Sequence, residues 1–161
     1  MNREKPHIVI LPEDDANREI ANGILMNSNV KQRTIKILPP AGGCRKTADK
    51  FEKDIIPQMS TYPDMNVIMM IDFDEKKGSV NNSSYANSKI PDHLKHRVFV
   101  LGVFSEPEQL KKGNGSYETI GEKLAEDCYN NTDTLWRYQL LKHNHRELHR
   151  MSPVIKPIIF N

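Results

Sequence analysis

Two aspartates stand two residues apart at the end of an apolar run in this chain of 161 residues. The stretch VIMMIDFDEKKG, residues 67–78, places Asp72 and Asp74 directly after five apolar residues. Such a run is typical of a buried strand, and the alternation at its end directs Asp72 and Asp74 to one side while Phe73 packs underneath. Neighbouring carboxylates repel each other and lose hydration unless a cation lies between them. We therefore predict that the pair binds Mg²⁺, or Mn²⁺ in its place, with a helix cap or a turn as the alternative role.

Apolar runs and helical spacings alternate along the chain and predict the elements that position this pair. Strands are expected at residues 7–11, 34–38, 67–71 and 97–104. Helices are expected to connect them, among them one at 46–59 that bends or ends near Pro57 and one begun by a cap at Asp14 or Asp15. Residues 81–91 are rich in Asn and Ser and predict an exposed loop. A cap at Ser116 predicts a further helix.

This alternation predicts the fold class, because parallel strands need crossover connections. We expect a single three-layer α/β domain over residues 1–161, Rossmann-like, with a mostly parallel sheet. Within it, residues 132–161 are predicted to add a C-terminal helix, at 135–151, and a last strand, at 154–160. This strand is expected at an edge of the sheet, because it contains Pro157.

Parallel sheets bind ligands at the carboxyl ends of their strands, so residues that follow the predicted strands should converge. Glu13 follows the first strand, and Gly42 and Gly43 follow the second. The glycines permit backbone N–H groups to approach an anion at a helix start, and Lys46 lies just beyond them. We predict phosphate binding by these three residues, with a tight structural turn as the alternative.

Three strand-end motifs together resemble the Toprim domain of topoisomerases, primases and the overcoming-lysogenisation-defect nucleases. They are Glu13, the Gly42-Gly43 pair with Lys46, and Asp72-Phe73-Asp74. The resemblance extends over about residues 7–106. It implies a compact α/β fold in which Glu13 acts as general acid or base and the aspartate pair binds Mg²⁺. It departs from the family at Asp14, where a glycine is usual.

The nuclease-like branch of the Toprim family has an extra acidic position, which Glu106 resembles. This likeness implies a second metal at Glu106. The resemblance as a whole implies a Mg²⁺-dependent phosphoryl-transfer protein, a nuclease or nuclease subunit that hydrolyses phosphodiesters in DNA or RNA. A domain of this size is expected to need a partner protein or a homodimer. The separate tyrosine domain of topoisomerases is missing, so strand passage is not expected.

The segment KHNHRELHR, residues 142–150, is strongly basic. Lys142, Arg146 and Arg150 form one stripe of a predicted helix and are candidates for electrostatic contact with nucleic acid, a solvated basic face being the alternative. His145 and His149 share a face, but no third ligand accompanies them, so zinc is not predicted.

Composition indicates an ordinary soluble protein, since the formal net charge is +2 and 27% of the residues are charged. No apolar run approaches the ~20 residues that a membrane span needs, so no membrane partner is expected. Cys44 and Cys128 lie far apart, which favours a cytoplasmic protein with free thiols.

A second class of protein fits the same strands. The start of the chain resembles a response-regulator receiver domain, which implies Mg²⁺ at its acidic pair and phosphoryl transfer to Asp72. Residues 155–157 resemble the lysine-proline pair after the receiver's fifth strand. A third alternative is an inactive α/β module that binds a protein partner.

Overall fold

The computed structural model describes residues 1–73, 82–103 and 107–161. Within these residues, four strands form one parallel sheet with the spatial order β2-β1-β3-β4. The strands are β1 (His7–Pro12), β2 (Ile35–Ile37), β3 (Met65–Met70) and β4 (Val98–Leu101). The predicted α/β class with a parallel sheet is confirmed.

Six α-helices in the described part of the chain cover the two faces of the sheet. They are α1 (Asp15–Met26), α2 (Cys44–Lys50), α3 (Ile56–Thr61), α4 (Asn82–Ser88), α5 (Tyr117–Asn130) and α6 (His145–Ile159). Residues of α1, α5 and α6 share one apolar core with the sheet. Residues of α2, α3 and α4 share the other. The three layers follow from these two cores.

Burial on both faces explains why β1, β3 and β4 are mostly apolar. In β1, Ile8 and Ile10 face the core under α1, whereas Val9 and Leu11 face the opposite core. All six residues of β3 are buried in the same way. A parallel sheet covered on both faces leaves no solvent side for polar residues, so its strands can be recognised without alternation.

Local capping predictions are confirmed at two helices. The Asp14 side chain accepts a hydrogen bond of 2.9 Å from the Asn17 N–H and begins α1. The Ser116 hydroxyl oxygen accepts one of 3.1 Å from the Thr119 N–H and begins α5. In both cases a side-chain oxygen satisfies an N–H that has no partner within its own helix.

Pro57 does not end its helix. A π-helical turn, Phe51–Ile55, joins α2 to α3, so the helical segment continues to Thr61. Pro57 lies in the first turn of α3, where the missing N–H costs little. The helix predicted at 46–59 is therefore present, in a longer form.

The predicted loop at 81–91 is wrong for residues 82–88, which form α4. Asn and Ser are weak helix formers, but Ala86 is fully buried in the core with α2. The Tyr85 hydroxyl also donates a hydrogen bond of 2.8 Å to the Asp49 carboxylate. Tertiary contacts thus override a local preference for turns.

The predicted edge strand at 154–160 is also wrong, because α6 continues to Ile159 through Pro153 and Pro157. Met151, Ile155 and Ile159 recur at helical spacing and are buried against the sheet. That burial outweighs the cost of two prolines. Residues 135–141 form turns instead of the start of this helix.

None of the described helices combines the length and apolar character that crossing a lipid bilayer requires.

Candidate active site

The site lies at the carboxyl ends of β1 and β3, where the strand order reverses. β1 connects outward to β2, and β3 connects outward in the other direction to β4. Such a reversal opens a crevice that binds ligands in open α/β sheets. The Glu13 N–H donates to the Met70 carbonyl oxygen at 2.8 Å, which extends the pairing of β1 and β3 up to this crevice.

Glu13 and Asp72 meet at the carboxyl ends of β1 and β3. The Asp72 N–H donates a hydrogen bond of 2.6 Å to the Glu13 carboxylate, at Oε2. Both residues are half-buried. Two residues that lie 59 positions apart in the chain are thus in contact, and the backbone of one orients the carboxylate of the other.

Asn17 holds two further carboxylate oxygens in place. Its Nδ2 donates to Oδ1 of Asp14 at 3.0 Å and to Oδ1 of Asp72 at 3.1 Å. One neutral amide thereby offsets the repulsion between two acids. Asn17 is 0% exposed, and its Oδ1 has no hydrogen-bond partner among the described residues. A buried amide oxygen of this kind is rare.

The pKa of Asp72 is raised to about 7, mainly by burial; the hydrogen bond from Asn17 opposes this rise, and the charges of Glu13 and Asp14 add to it. The ordinary pKa of an aspartate is 3.8. Asp72 therefore exchanges its proton near neutral pH. A cation at this carboxylate would favour its ionised form.

The Gly42-Gly43 turn supports the backbone of Glu13. Gly42 and Gly43 have φ values of +94° and +150°, which a side chain would disfavour. The Gly42 N–H donates to the Glu13 carbonyl oxygen at 2.8 Å, so this N–H already has a partner within the fold. Lys46 is exposed. Phosphate binding by this turn and Lys46 stays a prediction.

Both cysteines are free thiols, and Cys44 lies close to the site. Burial raises the pKa of the Cys44 thiol to about 11, with the charges of Glu13 and Asp72 acting in the same direction. Its Sγ lies 3.6 Å from the Asn82 carbonyl oxygen. The thiol is accordingly protonated at neutral pH, which makes it a poor nucleophile.

A turn before α6 secures the end of β4. Asn144 accepts from the Gly102 N–H at 3.1 Å and donates to the Gly102 carbonyl oxygen at 2.8 Å. The His143 ring donates to the same oxygen at 2.6 Å and contacts the Phe73 ring, with 4.8 Å between centroids. Since Phe73 follows Asp72, this turn supports the chain directly next to the site.

Sequence reasoning missed Asn17 and Asn144, although a signal was present. Asn17 shares the apolar stripe of α1 with Ile20 and Ala21, and Asn144 precedes the stripe that contains Leu148. A polar residue in the buried stripe of a helix is informative because it must find a partner inside the protein.

We expect Asn144→Ala to destabilise the protein, because it leaves the buried N–H of Gly102 without its partner. The expected loss is about 1–3 kcal/mol in the free energy of unfolding for each buried group left unpaired, measured by urea denaturation. His145→Ala, at the exposed neighbouring residue, is the control and should change little. Equal stability of the two variants would contradict this role of Asn144.

In the fold, Arg150 has a different environment from Lys142 and Arg146, the other two residues of the predicted basic stripe. The Arg150 guanidinium donates to the Val98 carbonyl oxygen at 2.7 Å, to Glu147 at 2.6 Å and to the carbonyl oxygen of Lys95, and it lies over the Phe99 ring. Arg150 thus ties α6 to β4. Lys142, Arg146, His145 and His149 are exposed.

Asp74 and Glu106, the other predicted metal ligands, lie outside the described residues. Within the described ranges, no group of three His, Cys, Asp or Glu residues is placed to hold a metal ion. The described carboxylates of Glu13 and Asp72 carry hard oxygens of the kind that Mg²⁺ prefers. Comparison of the chain with protein-family models, with curated proteins and with solved structures found no match.

Proposed function

We propose that this protein is a Mg²⁺-dependent phosphoryl-transfer protein that acts on nucleic acid, as a Toprim-type nuclease or nuclease subunit. The observation that carries the proposal is the hydrogen bond between the Asp72 N–H and the Glu13 carboxylate. It places two acids together in the crevice where open parallel sheets bind ligands. The raised pKa of Asp72 supports the proposal, because perturbed carboxyl groups in clefts are concentrated at functional sites.

Mg²⁺ would be held by Asp72, with Asp74 as its predicted second ligand and Glu106 at a second position. Mg²⁺ commonly uses one or two carboxylates, with water and substrate phosphate completing its shell. When bound, the cation supplies positive charge next to the phosphate oxygens and the leaving oxygen. The Asn17 amide, on α1, holds the Asp72 carboxylate by a hydrogen bond of 3.1 Å.

Glu13 is the proposed general base or acid. Its carboxylate either accepts a proton from the attacking water as the new O–P bond forms or, when protonated, donates a proton to the leaving oxygen as the ester O–P bond breaks. The Asp72 N–H restrains this carboxylate, so its reach toward the substrate is defined before the substrate binds. The glycine turn restrains the Glu13 backbone from the other side.

The test is a cleavage assay with the full chain on labelled single-stranded and duplex DNA and RNA, with Mg²⁺ or Mn²⁺. We expect wild-type protein to cleave at least one substrate, and chelation of the metal to stop the reaction. Glu13→Gln should slow it about 10²- to 10⁴-fold, the range for one general acid–base group. Glu4→Gln makes the same change at an exposed residue and should leave the rate unchanged. No cleavage of any substrate would contradict nuclease activity of the chain by itself, and equal rates in both variants would contradict the role of Glu13.

The receiver-like alternative is retained because Asn17 links Asp72, after β3, to Asp14, after β1. Against it, residues 155–157 lie inside α6 and follow no strand. Incubation with acetyl phosphate separates the two functions. A single phosphoryl group on Asp72, detected by mass spectrometry, would favour the receiver, and its absence would favour the nuclease. If neither activity is found, a co-purifying protein would favour a binding subunit.

A further inference from the structure

A cleft of about 660 Å³ lies between the turn after α5 and the start of α6. We call it the basic cleft, and its walls include Asp133, Trp136, Arg137, Lys142, His143 and His145. Two permanent cations thus face a single carboxylate. The volume is within the range of small-molecule and nucleotide sites.

Trp136 is fixed in this cleft before any ligand binds. Its indole Nε1 donates to the Leu124 carbonyl oxygen at 3.2 Å. The buried Asp127 carboxylate accepts from the Leu135 N–H and from the Thr132 hydroxyl, both at 2.7 Å, and so anchors the turn that carries the indole. Because Trp136 is only partly buried, the anchored ring keeps surface for a ligand. Little conformational entropy is lost when a ligand packs against such a ring.

The basic cleft adjoins the acidic crevice. His143 lines the cleft and contacts the Phe73 ring, and Phe73 directly follows Asp72 in the chain. The cleft and the acidic site are thus neighbours, and one nucleic-acid polymer is long enough to contact both. The cations Arg137 and Lys142 complement the negative charge of such a polymer.

We propose that the basic cleft binds a single strand of nucleic acid, with one base stacked on Trp136 and the adjacent phosphates on Arg137 and Lys142. An indole can stack only on a base that is free of its neighbours, which excludes an intact duplex. The position of the cleft along the substrate rests on the proposed function of the acidic crevice. Binding itself requires no chemistry at Glu13 or Asp72.

The experiment uses the full chain without divalent metal and measures the emission of Trp136, the single tryptophan of the protein. The probes are 12-nucleotide oligo-dT, 12-nucleotide oligo-rU and the oligo-dA·oligo-dT duplex. We expect a single strand, but not the duplex, to quench the emission. The affinity of the protein for the single strand is measured from the fluorescence anisotropy of a labelled strand. This affinity should fall as the salt concentration rises.

Paired variants separate stacking from charge. The double variant Arg137→Ala, Lys142→Ala keeps the indole. It should make the negative slope of log affinity against log salt shallower by about 1.4, because each lost phosphate contact removes about 0.7. The control Arg33→Ala, Lys53→Ala removes the same charges at exposed positions outside the cleft and should leave the slope unchanged. Trp136→Leu should weaken binding at least about fivefold, and Trp136→Phe should restore most of the loss.

Each outcome supports or overturns the inference. Quenching confined to single strands, with loss of affinity in the cleft variants only, supports it. Quenching by the duplex to the same extent, no quenching by either strand, or equal losses in the control double variant overturns it. Quenching without cleavage would leave the binding inference standing while the nuclease proposal fails, and cleavage without quenching would do the reverse.

Discussion

Asp72→Asn is expected to abolish phosphodiester cleavage while making the folded protein more stable at pH 8. Asparagine has the shape of aspartate and still accepts the hydrogen bond from Asn17, but it cannot carry the charge that the proposed Mg²⁺ requires. Loss of a metal-ligating carboxylate should lower the cleavage rate by at least about 10²-fold. The gain in stability follows from the pKa of Asp72, which burial raises to about 7.

The sign of the pH dependence follows from proton binding. The pKa of Asp72 is about 7 in the folded protein and near its ordinary value of 3.8 in the unfolded chain, so between these values the folded protein binds more protons. Wild-type stability should therefore fall as pH rises from about 4 to about 7, and the deficit should persist above pH 7. Asparagine does not titrate, so this fall should be absent in the variant.

Thermal unfolding from pH 4 to pH 8, without metal, measures the effect. After allowance for solvent screening of a half-buried group, we expect the variant to gain about 1 kcal/mol at pH 8, which corresponds to roughly 2–4 °C in Tm. Asp15→Asn is the matched control, since Asp15 is exposed and its carboxylate pairs only at the surface with Arg18. A variant that is less stable than wild type at pH 8, or that cleaves normally, would contradict this role of Asp72.

Gly102→Ala is expected to prevent stable folding. A Cβ atom at residue 102 would lie 1.6 Å from the Ile71 carbonyl oxygen and 3.2 Å from the Phe73 ring. Both neighbours are held by the sheet, because the Ile71 N–H donates to Leu101 at 3.0 Å and the Phe73 N–H donates to Val103 at 2.7 Å. The added methyl must separate the ends of β3 and β4. We expect a loss of at least about 4 kcal/mol, a large part of the stability of a typical domain.

Urea denaturation and the soluble yield after expression measure this loss. Gly113→Ala is the comparison, because it adds the same methyl where no described atom lies within 4 Å of the new Cβ. Its cost comes from the backbone alone, since Gly113 has a φ of +79°, and should be about 1–2 kcal/mol. A Gly102→Ala protein as stable as Gly113→Ala would show that the strand ends can move apart.

The two wrong elements show where local sequence is insufficient. α4 is built largely from Asn and Ser, and α6 contains two prolines, so propensity and proline rules both argue against helix. Ala86 in α4 and Met151 and Ile155 in α6 are nevertheless buried against the rest of the protein. Burial of apolar area is a property of the assembled layers. It exceeds helix preferences of less than about 1 kcal/mol for each Asn or Ser and of about 3 kcal/mol for each proline.

The candidate site divides in a similar way. That Glu13 and Asp72 approach each other was predicted, because residues after the strands of a parallel sheet share one edge. Their direct contact through the Asp72 N–H was not predicted, because the order of the strands in the sheet decides which strand ends are neighbours. The hydrogen-bond partners of Asn17 and Asn144 were not predicted, because side-chain partners depend on packing angles that periodicity does not encode.

The amino-acid sequence by itself determined the class of the fold, a cap at Asp14 or Asp15, a cap at Ser116 and the edge of the sheet where acidic residues collect. These features depend on short-range patterns: apolar runs, cap residues three positions from their partners, and the crossovers that parallel strands require. Only the tertiary structure decided the pairing of β1 with β3, the anchoring of Trp136 and the pKa of Asp72. Each of these depends on distances and desolvation between residues remote in the chain, which arise only when the layers pack together.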